Sequence, residues 1–79
     1  MSSKYRMHKQ IEEFEERKKQ LLRRRESLYD EVERRGDDIT NGRHPIRNSL
    51  ALSFAGDRIR DLNRQIKKTQ EYIDSLRGK

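Results

Sequence analysis

The chemistry this chain can offer is carried by its cations. Arg17, Lys18, Lys19, Arg23, Arg24 and Arg25 place six positive side chains within nine residues, with no acid among them. A second group, Arg58, Arg60, Arg64, Lys67 and Lys68, outnumbers its neighbours Asp57 and Asp61. Guanidinium and ammonium groups at this density hold phosphate oxygens, and such binding ignores base sequence and weakens steeply with salt. Like charges crowded along a helix cost stability unless an anion offsets them. The plainer reading is that each charge solvates a helix or pairs across it, as in many coiled coils. A net charge of +6 and a pI near 10.0 favour acidic partners, with nucleic acid ahead of an acidic protein surface.

Other chemistry finds little support. His8 and His44 are far apart and the chain has no cysteine, so neither has a metal-ligand neighbour at useful spacing. No metal or other cofactor is expected. No glycine-rich phosphate loop or nucleophile motif is present, and no zinc-finger, bZIP, RRM or KH pattern reads bases. Tyr5, Tyr29, Tyr72 and Phe54 can stack on bases beside the cations or, more simply, cover apolar seams. The chain reads as a non-enzyme with no small-molecule substrate.

The elements that must position the cations are helical. Leu52, Ala55, Ile59, Leu62, Ile66, Thr69, Ile73 and Leu76 follow one another at alternating steps of three and four, the period of a coiled-coil seam. The same spacing runs through Met7, Ile11, Phe14, Lys18, Leu21, Arg25, Leu28 and Val32, interrupted by the two cations. Only 29% of the residues are hydrophobic and 43% are charged, so the seam is thin. A chain this small with so little core leans on a partner. The absence of cysteine fits a reducing, intracellular home, and no apolar run is long enough for a membrane span or a signal-peptide core. A soluble cytoplasmic protein is expected. Membrane binding is disfavoured further because no Trp is present to anchor it.

One break interrupts the pattern. Ser2 or Ser3 can cap a first helix over residues 4–35, and Gly36 suits its C-terminal end. Residues 36–45 form a turn containing the Asn41-Gly42 dipeptide. Within it Pro45 pushes His44 towards an extended backbone, although Asp37, Asp38 and Thr40 can instead make the tip partly helical. Pro45 then opens a second helix over residues 46–77. Gly56 inside that helix suggests close helix–helix approach. Two helices of about 31 residues, or ~46 Å each, joined by a short turn make an antiparallel hairpin. The expected fold is therefore all-α, a single two-helix coiled-coil hairpin that pairs as a homodimer into a four-helix bundle.

A register follows from matching the stripes. Phe14 faces Ile73, Lys18 faces Thr69, Leu21 faces Ile66, Arg25 faces Leu62, Leu28 faces Ile59 and Val32 faces Ala55; a slip of half a heptad competes. This register brings both cation groups level as one belt, for which the candidate nucleic-acid contacts are Arg17, Lys19, Arg23, Arg24, Arg60, Arg64, Lys67 and Lys68. Leu22, Tyr29, Ile46, Leu50 and Phe54 lie off the seam and are candidate partner contacts.

The segment Arg35-Gly36-Asp37-Asp38-Ile39-Thr40-Asn41, with the later Gly56-Asp57-Arg58-Ile59-Arg60-Asp61-Leu62, resembles the N-terminal hairpin of the Gre-type transcript cleavage factors. The resemblance covers residues 35–62, much of it ordinary coiled-coil sequence. It implies a coiled coil inserted into the secondary channel of RNA polymerase, with a tip built on Asp37, Asp38 and Asn41. Asp38 matches the family's tip aspartate, but Asn41 stands where the family has glutamate, and the family's C-terminal domain has no counterpart here. Those departures favour an inhibitor or decoy over a cleavage factor. Two functions remain. One is a non-catalytic regulator that binds nucleic acid or a nucleic-acid machine through the belt. The other is an adaptor coiled coil that binds a protein through the apolar residues near the tip.

Overall fold

The computed structural model describes residues 3–78. Two helices account for nearly all of them: α1 over Ser3–Thr40 and α2 over Pro45–Arg77, 38 and 33 residues long. They fold back on each other as an antiparallel hairpin measuring 62 × 14 × 13 Å. Every member of both three-four stripes is at least half-buried. Leu21 is buried from α1, and Ala55, Leu62, Thr69, Ile73 and Leu76 from α2. Burial of these stripes, rather than intrinsic propensity, is what holds two long charged helices together. Neither helix is long and apolar enough to cross a membrane.

Three cross-helix contacts fix the register. The rings of Phe14 and Tyr72 lie 4.6 Å apart, Lys18 donates to Gln70 at 2.6 Å, and Arg25 donates to Asn63 at 2.8 Å. Each contact falls one residue from the partner expected at that level: Ile73, Thr69 and Leu62. The half-heptad slip does not fit. Lys18 does not share its layer's polar interior with Thr69, however. The Thr69 hydroxyl donates to the Gln65 carbonyl at 2.7 Å, and the amide of Gln70 satisfies the lysine instead.

The tip corrects several expectations. Helix α1 runs five residues past Arg35, so Gly36 is helical rather than a cap. Continuing the helix carries Ile39 onto the seam, where it is half-buried, and this outweighs the ~1 kcal/mol that a helical glycine costs. The cap is Gly42, at φ 72°. The Arg43 N–H reaches back to the Asp38 carbonyl at 2.8 Å and the Gly42 N–H to the Ile39 carbonyl at 3.0 Å, the paired bonds of a Schellman ending. The connection shrinks to residues 41–44. A loop that short forces His44 into the left-handed region at φ 42°, ψ 57°, rather than the extended backbone expected before proline. Pro45 opens α2 as expected. Of the two proposed caps on α1, Ser2 lies outside the described residues and Ser3 is already helical. Gly56 does not mark a close approach either: a Cβ built there would meet no described atom within 4 Å.

Candidate functional site

The belt residues inherit their positions from the register. Lys18 against Gln70 and Arg25 against Asn63 bring residues 17–25 level with residues 62–70, so the two cation groups meet at mid-hairpin. Arg17, Lys19, Arg23, Arg24, Arg60, Arg64, Lys67 and Lys68 are all exposed. Helical spacing distributes them around the rod. Arg17 and Arg24, seven apart, share one side; Lys19, Arg60 and Lys67 lie towards the other; Arg23 and Arg64 point outward. The belt is a girdle rather than a one-sided patch.

Its charge is poorly compensated. Arg60 pairs with Asp57 at 2.9 Å and Arg64 with Asp61 at 3.8 Å, both within α2. Arg17, Lys19, Arg23, Arg24, Lys67 and Lys68 make no ion pair among the described residues. The seam cations Lys18 and Arg25 take neutral amide partners instead of carboxylates. Among the described residues no carboxylate pairs with either beneath the girdle, and Arg25 also lies 5.9 Å from the Tyr29 ring centre.

The apolar candidates do not form one patch. Ile46, Leu50 and Phe54 run obliquely over the outside of α2 and are 86%, 59% and 59% exposed. Tyr29 and the half-buried Leu22 belong to the side where Arg25 meets Asn63. Phe54 instead borders a groove on the opposite side, with Glu31, Ala51, Ala55 and Arg58, enclosing about 200 Å³. That groove continues past Arg58 into a larger one of about 420 Å³, lined by Arg24, Ser27 and Leu28 from α1 and Asp61, Leu62 and Gln65 from α2.

At the tip, Asp37 is exposed, Asp38 is half-buried with Arg43 3.8 Å away, and Asn41 is exposed with its N–H bonded to the Asp37 carbonyl at 3.0 Å. Among the described residues no three His, Cys, Asp or Glu side chains gather where they could hold a metal. His44 is at the tip and His8 lies towards the open end of α1.

Comparison with known proteins finds no matching family model, no matching curated protein and no matching solved structure. The reading of this site therefore rests on its geometry.

Four residues matter more than their sequence context suggested. Asn48 is only 4% exposed; it accepts from Arg35 at 3.0 Å and donates to the Arg43 carbonyl at 2.7 Å, tying α1, the connection and α2 together. The signal was present, since Asn48 continues the three-four spacing one step before Leu52. Gln70 and Asn63 satisfy the seam cations, and their position one residue after Thr69 and Leu62 was the cue. Arg58 is the junction of the two grooves, a role that only the assembled hairpin reveals.

Proposed function

We propose that this chain is a small non-catalytic regulator that works inside the cell and binds nucleic acid, or a nucleic-acid machine such as RNA polymerase, through its cationic girdle. The observation that carries this reading is the six girdle cations that have no ion pair among the described residues, gathered at one level of the rod. An uncompensated cluster of this kind stabilises bound phosphates and releases their counterions. The hairpin acts as a homodimer, because a thin seam with large exposed apolar side chains gains stability from a second copy. The test is charge reversal at Arg23, Arg64 and Lys67 together. Nucleic-acid binding is expected to be lost while the circular dichroism stays helical; binding that persists at the original strength removes the reading. Wild-type affinity should also fall steeply between low and physiological salt.

A second reading has its own observation in the exposure of Ile46, Leu50 and Phe54. Here the hairpin is an adaptor, and a protein partner buries that stripe with help from Leu22 and Tyr29. Such association is insensitive to salt and is lost on Leu50→Glu. If Leu50→Glu leaves partner capture unchanged, the stripe is not the contact.

A further inference from the structure

Along α1, Arg17, Arg24, Glu31 and Asp38 recur at steps of seven and so form one row down the side of the helix that carries the grooves. Two cations are followed by two acids. Such a row is self-complementary when reversed: turned end for end about a point between Ser27 and Leu28, it sets Arg24 against a second copy's Glu31 and Arg17 against that copy's Asp38. A two-fold axis makes each pairing twice.

Helix α2 carries a matching pattern that is independent of the first. Arg58 and Asp61 both line the larger groove, and the point midway between them falls between Ile59 and Arg60. The register places that point level with Ser27 and Leu28. The same reversal therefore sets Arg58 against the copy's Asp61, and both helices share one centre of symmetry. The larger groove is centred there too, with Leu28 and Leu62 in its lining. The reversal also carries the exposed Phe54 ring of each chain over Gln65 and Leu62 of the other, giving that ring an apolar place to go.

We infer that the grooved side of the hairpin is the contact surface for a second copy of this chain, with the hairpins antiparallel, α1 on α1 and α2 on α2, about a two-fold axis at Ser27. The inference rests on the homodimer reading above and specifies its face, direction and pairs. Other occupants fit less well. A polyanion laid in the groove meets the carboxylates of Glu31 and Asp61, and so does an acidic peptide. Hairpins packed in parallel set Arg17 level with the copy's Gln70 and Asp38 level with its Ser49, neither of opposite charge. The arrangement divides the girdle: Arg17, Arg24 and Lys68, which follows Asp61 by seven, go to the grooved side, while Lys19, Arg23, Arg60, Arg64 and Lys67 remain outside it.

The chain has no cysteine, so single cysteines report the geometry directly. Ser27→Cys is expected to form a disulfide-linked dimer under mild oxidation, because its two copies meet at the axis. Ser75→Cys, near the open end, should not, because its copies stay far beyond the ~7 Å that a disulfide spans. Equal cross-linking at the two positions overturns the arrangement. In sedimentation without nucleic acid, Arg24→Glu or Glu31→Arg alone should weaken self-association about tenfold or more, because each puts like charges together twice per dimer. The double variant Arg24→Glu/Glu31→Arg should restore it. A wild-type chain that sediments as a monomer, or a double variant no tighter than the single ones, also overturns it. Reversal of Arg23, Arg64 and Lys67, outside the groove, should abolish nucleic-acid binding and leave the dimer intact, so the two proposals fail separately.

Discussion

The middle of the hairpin and its tip are built on different physics. In the middle, order comes from repetition: side chains at three-four spacing bury one another, and no single bond decides the register. Even its polar interruptions are mild, since Lys18 and Arg25 reach amides at the edge of the seam and keep their ends near water. At the tip, order comes from a few particular bonds: the Schellman pair ending at Gly42, the bridge from Arg35 through Asn48 to the Arg43 carbonyl, and a strained His44. A repeating seam spreads the effect of one substitution over several layers. A bonded knot does not.

The largest expected effect lies at the open end of the seam and tests how far that spreading goes. Ile73 is 1% exposed, the most enclosed large side chain of the hairpin. Ile73→Ala removes its packing and leaves a void, at a cost of about 3 kcal/mol. Ile59, half-buried in the middle, should cost clearly less on the same truncation. Urea unfolding of the two variants measures the difference. Equal losses would mean that the layers do not differ as their burial indicates.

Next in size is the knot. Asn48→Ala deletes a buried amide that both accepts and donates, leaving the Arg43 carbonyl without its side-chain donor and the Arg35 guanidinium without one of its acceptors. Loss of a buried partner of this kind costs about 2 kcal/mol. The loss should be concentrated locally: amide exchange should quicken across residues 39–48 and stay slow around Leu62 and Ile66. Uniform acceleration over the whole chain would show that tip and seam unfold as one unit, and the distinction between them would not stand.

The same division explains what was legible in the sequence. Both stripes and the level at which the cation groups meet followed from spacing, because periodic burial is written into residue order, and the antiparallel pairing followed from the short break between two helices of similar length. The tip was not legible to that depth. Gly36 and Gly42 are both plausible helix ends by residue type, and only the gain from burying Ile39 chooses between them. Asn48 lies on the seam spacing, but its partner stays hidden until the connection is short enough to bring the Arg43 carbonyl within its reach. The groove was hidden for a related reason. Its lining residues are spread over both helices, and the likeness between the charge patterns of α1 and α2 becomes visible only once the register sets them level.

The smallest expected effects carry the sharpest contrast, because they differ in sign. At Gly36 the backbone is helical and a Cβ would meet no described atom within 4 Å. Alanine there restricts the unfolded chain and suits the helix, so Gly36→Ala should stabilise by up to about 1 kcal/mol. At Gly42 a Cβ would also find open space, but the backbone sits at φ 72°. An L side chain is strained in that region whatever room it has, so Gly42→Ala should destabilise by about 1 kcal/mol. Crowding cannot explain a difference between two uncrowded sites, which leaves backbone conformation as the cause. Thermal melts of the two variants against the parent chain decide it. Were α1 to end at Gly36 instead, Gly36→Ala would be the variant that melts earlier.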